Sequence, residues 1–189
     1  MINFEPYSYT DHRLDMKRIY EESFPEKERF EFYILWGASL EQDNIRFDCI
    51  TDNDKPVGIQ FMVRIPRDIT YLMYFAIDEN YRGQKLGSRA LKKIISLEKN
   101  VVLIIEKVTD KETLSRKKFY LRNGLHETGY SIVDSGIEYE ILSSKRGYIP
   151  TDKDMYNRYR YMTNDETMWD EIQSRFDTKK IDIRRITNE

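Results

Sequence analysis

A chain of 189 residues, 40% hydrophobic and 34% charged, has the length of one domain and enough apolar residues for a sizeable core, and its composition is not that of a disordered segment. Thirty-one basic against 33 acidic residues leave a net charge of −2, which argues against a dedicated nucleic-acid binder. A single cysteine, Cys49, excludes a disulfide scaffold and a cysteine-based zinc site. The absence of HExxH, Walker and GxGxxG patterns leaves no metal expected. The longest aliphatic run, Val101 to Ile105, is far short of the roughly 18 apolar residues of a membrane span. The first ten residues lack the basic-then-apolar pattern of a signal peptide, so a cytoplasmic protein is expected, with no membrane partner.

In chain order, Ile2 to Tyr7 reads as a strand and Leu14 to Glu22 as a helix. Ser23 to Glu26 has the chemistry of a helix start, with Pro25 at the first position and acids after it, so a second helix is predicted to about Ser39. Ile45 to Thr51 and Pro56 to Ile65 form a hairpin across Asp52 to Lys55, and Thr70 to Ile77 is a third strand. A polar loop, Asp78 to Gly87, leads from Ser88 into a helix with Leu91, Ile94 and Ile95 on one side. Val101 to Val108 is almost wholly apolar, as in a strand buried on both faces. Thr113 to Asn123 is a helix stopped by Asn123-Gly124, followed by strands Leu125 to Val133 and Ile137 to Ser143, joined at Asp134-Ser135-Gly136. This order predicts an α/β (mixed α+β) fold: a mixed sheet of about six or seven strands flanked by helices, filling residues 1–145. Residues 146–189 form a charged, tyrosine-rich helical extension, with a capping-box pattern at Thr151 to Asp154 and a helix at Asn164 to Phe176. It packs on the same domain or reaches a partner subunit, so a homodimer is compatible with it. Within it, Tyr156 to Tyr161 alternates rings and basic residues. The expectation is a helix with rings inward and arginines outward, ahead of a nucleotide-stacking surface.

The chemistry points to the loop between the third strand and its helix. The first N–H groups of a helix lack internal acceptors and sit at the positive end of its dipole. Gly83 and Gly87 let the backbone approach a ligand closely, and Arg82 and Lys85 add positive charge. Such a cradle, from Arg82 through Gln84 and Leu86 to Ser88, suits a pyrophosphate.

Phe75-Ala76-Ile77-Asp78 followed by Tyr81-Arg82-Gly83-Gln84-Lys85-Leu86-Gly87-Ser88 resembles the acetyl-CoA motif of the GNAT superfamily of N-acetyltransferases, Arg/Gln-x-x-Gly-x-Gly/Ala. Lys118 to Leu125, KFYLRNGL, is similar to the family's FYxxxGF helix end, and the element order over residues 2–143 also matches. Lys85 replaces the first motif glycine; its N–H still serves a phosphate if its φ is negative, and its ammonium adds an ion pair. Thr113 stands where the family often has an asparagine facing the pantetheine arm, and Leu125 replaces a phenylalanine.

The resemblance implies a strongly twisted sheet and direct acetyl transfer from acetyl-CoA to the primary amine of a small molecule or peptide. The strand before the loop would splay from Val101 to Val108 and leave backbone groups of Phe75, Ala76 and Ile77 for the pantetheine arm and the thioester carbonyl. Tyr120 would protonate the departing thiolate. Arg116 would assist at the CoA phosphates, although a solvated helix face also explains it. Glu106, the one carboxylate in its aliphatic strand, would act as base if burial raised its pKa. Tyr71 stands where some members carry a catalytic glutamate, and with a normal pKa near 10 it would order a water or pack instead. Glu26, Phe30, Tyr33 and Trp36 would edge the acceptor cleft, with Glu26 available to a cationic amine. The alternative reading is a non-catalytic acyl-CoA-binding module, which Lys85, Thr113 and the lack of an evident base would favour.

Overall fold

The computed structural model describes residues 1–134, 136–175 and 181–186. Its centre is an eight-stranded sheet in the order β1-β2-β3-β4-β5-β7-β6-β8. The strands are β1 (Ile2–Pro6), β2 (Ile45–Asp52), β3 (Lys55–Ile65), β4 (Ile69–Ile77), β5 (Val101–Glu106), β6 (His126–Asp134), β7 (Ile137–Ser143) and β8 (Asp182–Arg185). Every pairing is antiparallel except β4 with β5. That pair needs a crossover, which α3 (Leu86–Leu97) supplies.

Strand alternation divides the core. Ile59, Phe61, Val63, Tyr71, Tyr74 and Ala76 face one side, with α1 (Arg13–Ser23), α2 (Phe32–Glu41), α5 (Asp152–Arg160) and α6 (Glu166–Arg175). Met62, Leu72, Leu103 and Leu142 face the other, under α3 and α4 (Lys111–Arg122). The amphipathic pattern of α3 is met by burial of Leu86, Ala90, Leu91 and Ile94.

Three expectations are corrected. The helix predicted from Pro25 to Ser39 is broken: Glu26–Glu28 is a 3₁₀ turn, residues 29–31 are extended, and α2 starts at Phe32. Tertiary bonds override the local signal, because the Tyr74 hydroxyl donates to the Glu28 carbonyl (3.1 Å) and accepts from the Phe30 N–H (3.3 Å), while Tyr20 donates to the Phe30 carbonyl (3.0 Å). The sheet gains β8, a short polar strand with no apolar period, which covers β6. In α5 the arginines do not all face outward. Arg158 is 1% exposed, pairs with Asp134 and lies over the rings of Tyr71 and Tyr159. Rings of the same helix do pack inward: Tyr159 is buried, and Tyr156 meets Trp169 edge-on. Met155, Tyr159, Met162, Trp169 and Ile172 of the extension belong to the same core cluster as β2, β3 and β4. Ser135, expected in a turn, and Phe176, the expected end of the last helix, lie outside the described residues.

Candidate active site: a gap between two parallel strands

β4 and β5 pair at only two positions, Thr70 with Val101 and Tyr71 with Val102. Beyond them the strands part. On its other side β4 stays paired with β3 as far as Ile77, with an extra residue, Met73, between the pairs Met62–Leu72 and Phe61–Tyr74. Such a bulge bends and twists the strand that carries it. Polar backbone groups on the β5 side of β4 therefore lose their ladder partners. N–H groups of successive strand residues point to opposite sides. Asp78 N–H donates to Val57 on the β3 side (3.0 Å), so the N–H groups of Ile77 and Phe75 face the gap and that of Ala76 faces β3. The Ile77 carbonyl accepts from Arg82 Nε (3.1 Å), as this orientation requires. Of the backbone groups predicted at 75–77, Ala76 N–H is thus turned away.

Asp78 ends the strand and is 3% exposed. It accepts from the backbone and side chain of Asn80 (2.9 Å each) and from Arg18 of α1 (2.5 Å). Burial works to raise its pKa, but the bonds from Arg18 and Asn80 outweigh burial and hold it below the ordinary carboxylate value. This anchor fixes where the loop leaves the sheet. Gly83 has φ +78°, which glycine adopts at no steric cost. Lys85 has φ +60°, so the negative φ on which its phosphate role was conditioned is absent, and the backbone holds the conformation a glycine would take. Its side chain is exposed, and no side chain caps the N-terminus of α3. At Gly87 an added Cβ would meet Ile77 at 3.3 Å and Phe119 at 3.4 Å, so this glycine lets α3 pack against β4 and α4. Leu86 is buried against Ala90 and Ile50, whereas Gln84 is exposed and Ser88 half-buried.

On α4, Tyr120 packs in the core cluster with Leu72 and Leu103, and no hydrogen bond reaches its hydroxyl among the described residues. Burial pushes its pKa up to about 12. Thr113, expected at the pantetheine arm, instead closes the helix: Asp110 and Thr113 form a reciprocal capping box, with Asp110 accepting from the Thr113 N–H (2.8 Å) and the Thr113 hydroxyl accepting from the Asp110 N–H (3.1 Å). Arg116 is exposed and bonds Glu106 (3.4 Å) and Glu112 (3.3 Å). Glu106 closes β5 with its side chain 34% exposed, so the burial that would make it a base is missing.

Among the predicted acceptor residues, Tyr71 is 2% exposed at the last paired position before the gap. Its hydroxyl has no hydrogen-bond partner among the described residues, and burial raises its pKa to about 12. Phe30 is a core residue at 1% exposure, wedged against Tyr74 and Tyr159, and does not line a cleft. Tyr33 points to the extension, where its hydroxyl bonds Glu171 of α6; that bond first, and burial second, push its pKa up to about 12. Trp36 stacks on Tyr7. Glu26 lies exposed on the 3₁₀ turn that Tyr74 pins beside β4.

Sequence reasoning missed three groups here. Tyr74 holds the 26–30 segment. Arg158 supports Tyr71 and the end of β6. Tyr139 of β7 stands opposite Glu106, its pKa raised first by burial and then by the charges of Glu28, Asp134 and Glu106. Only the tyrosine-rich composition hinted at them.

The parallel pair opened by a bulge, the unladdered N–H beside it and the helix start uncapped by side chains leave main-chain donors on offer along one side of the sheet. The model of the acetyltransferase (GNAT) family matches residues 13–125, and this chain belongs to that family. It is therefore an acetyltransferase by family. Among solved structures, a GNAT-family acetyltransferase from Bacteroides thetaiotaomicron matches 92% of this chain and 96% of its own, at 22% identity and a TM-score of 0.67. The ribosomal-protein-S18-alanine N-acetyltransferase of Escherichia coli matches 76% of this chain and 92% of its own, at 16% identity and a TM-score of 0.56. Arabidopsis thaliana Naa50, solved with the bisubstrate analogue CoA-Ac-MVNAL, matches 75% of this chain and 97% of its own, at 18% identity and a TM-score of 0.55. At these identities the likeness is one of fold. No curated protein sequence matches the chain.

Proposed function

We propose that this protein transfers the acetyl group of acetyl-CoA directly to a primary amine of a small molecule or peptide, in the cytoplasm and with no metal. The observation that carries the reading is the gap between β4 and β5, with the Ile77 N–H facing it at the end of a strand that leads straight into the loop before α3. Acetyl-CoA supplies an activated thioester. The N–H groups of Gly83, Gln84 and the first residues of α3 bind its diphosphate, while Arg82 and Lys85 contribute through their side-chain charges. Ile77 N–H, and Phe75 N–H one step back, orient the arm and polarise the carbonyl oxygen as negative charge develops there. A backbone donor fixed by the sheet does this without reorganising, which is where such stabilisation is worth most.

We assign to the Tyr120 hydroxyl, which burial keeps protonated, the proton that the departing thiolate takes up; burial also makes it a weaker acid, so the transfer depends on the negative charge of the thiolate beside it. The amine must lose a proton before or during attack. We assign its removal to water ordered by the carboxylates that bear on Tyr139, Glu28 and Glu106. Glu26, on the same turn as Glu28, draws the ammonium form of the acceptor towards the cleft. Solved GNAT relatives named for a spermidine and for a ribosomal-protein alanine support both small-molecule and peptide acceptors.

Calorimetry with acetyl-CoA, followed by a free-thiol assay over a panel of polyamines, amino-acid amides and peptide N-termini, tests the reading. Saturable binding and amine-dependent release of CoA thiol are expected. Binding without release from any amine would instead identify an acyl-CoA-binding module, and no binding would remove the proposal.

A further inference from the structure

At the other end of β4 and β5 from the loop lies a second concavity, of about 420 Å³, where the two strands are still joined. Its walls come from three places far apart in sequence: the β3–β4 turn with Arg67, the start of β5 with Lys99 and Asn100, and the segment after β7 with Lys145 and Tyr148. Its charge is unlike that of the molecule. Arg67, Lys99 and Lys145 line it with one acid, Asp68, in a chain whose net charge is −2, although Arg67 is itself paired with Asp154 at 2.6 Å behind the wall. Lys99 is tied to Asp68 at 2.9 Å by a pair that is mostly exposed, and such a pair holds weakly. Lys145 forms no ion pair among the described residues.

The floor carries the decisive group. Asn100 is 4% exposed, and its Oδ1 is fully engaged, accepting from the Ser143 hydroxyl (2.7 Å) and the Lys145 N–H (3.3 Å). These bonds fix the carboxamide, and its Nδ2 group donates to nothing among the described residues. The rest of the side chain is buried, so this fixed donor is presented to the solvent of the concavity, where water or a ligand oxygen can accept from it. A fixed amide donor beside lysine ammoniums matches an anion with several oxygens, because charge-assisted bonds from both kinds of donor are stronger than bonds to water.

We infer that this concavity is a second ligand site, separate from the loop at residues 82–88, and that it binds the phosphate group of a small phosphorylated molecule through Asn100 Nδ2, Lys99 and Lys145. Its place matters. The carbonyl of Asn100 accepts from Thr70 N–H (2.8 Å), and the neighbouring Val101 is the first β5 residue paired with β4.

The test uses the intact ¹⁵N-labelled chain saturated with CoA, so that residues 82–88 are already filled. It is titrated with inorganic phosphate and, separately, pyrophosphate. Amide signals of Asn100 and of Lys145 to Tyr148 should shift saturably, with pyrophosphate the tighter probe. In the Lys99→Glu/Lys145→Glu variant the midpoint should rise at least about tenfold, since two charge-assisted contacts are reversed. A matched variant at the opposite end of the sheet, Lys55→Glu/Lys111→Glu, should leave the midpoint in place. Shifts confined to residues 82–88, no saturable shift at the concavity, or equal midpoints for the two variants would each overturn the inference. All four positions are exposed, so both variants should fold.

Discussion

Lys85 occupies a backbone conformation that costs a side-chain-bearing residue on the order of 1 kcal/mol. Lys85→Gly should therefore raise the denaturant midpoint with m unchanged. The gain is only about 0.5 kcal/mol, because glycine also frees the unfolded chain. If the ammonium contacts the diphosphate, the same variant should bind acetyl-CoA several-fold more weakly, with a shallower salt dependence. Tyr120 makes a different case. Its hydroxyl has no hydrogen-bond partner among the described residues, so Tyr120→Phe removes a proton donor and little else. Its kcat should fall about 100-fold or more, with acetyl-CoA affinity and thermal midpoint nearly unchanged. Equal kcat in the two proteins would exclude Tyr120 as the acid. The glycines, the charged pair and the helix start of this loop were legible because they act locally and leave a contiguous trace. The capping role of Thr113 was not legible, because a capping threonine and a ligand-facing one look alike without the Asp110 geometry. Tyr74 and Arg158 left no trace, since each works through a partner tens of residues away.

At the scale of elements, the extension is the main finding. Met155, Met162 and Ile172 are fully buried in the cluster that backs β2, β3 and β4. Deleting side chains of this kind singly costs about 2–5 kcal/mol, and a whole domain has only about 5–15. A chain ended at residue 145 should therefore lack a cooperative thermal transition, and a cooperative transition near the full-length midpoint would refute this. The Bacteroides likeness covers 92% of this chain, a share that residues 1–145 alone cannot make up, so the extension is part of a shared architecture. The first helix of the extension was readable from Thr151 and Asp154, whose side chains close its start. The burial of Arg158 was not, because alternating rings and arginines normally leave the charge in water. Likewise Pro25 and its acids signalled a helix correctly by local rules, and two tyrosine hydroxyls from distant elements pulled the next residues straight.

For the whole molecule, pH should act at both extremes. Tyr71 and Tyr120 titrate near 12 when folded and near 10 when unfolded, so their contribution is complete below about pH 10 and is lost as pH rises towards 12. Stability measured by denaturant should fall across that window, and less steeply in Tyr120→Phe. Asp78 and Glu98 have depressed folded values, so what they contribute is present above about pH 4 and disappears as pH drops through those lower values. The sheet was legible strand by strand from alternation, but the divergence of β4 from β5 was expected only through family likeness. The divergence begins where β4 carries one surplus residue, and a bulge bends the strand that holds it. Without Met73, β4 would match β3 one for one and run straight, and hydrogen bonding with β5 would zip onward past Val102. If the proposed site is right, deleting Met73 should raise the thermal midpoint and abolish the calorimetric signal for acetyl-CoA: the cohesion given up at that seam would be the room the reaction needs.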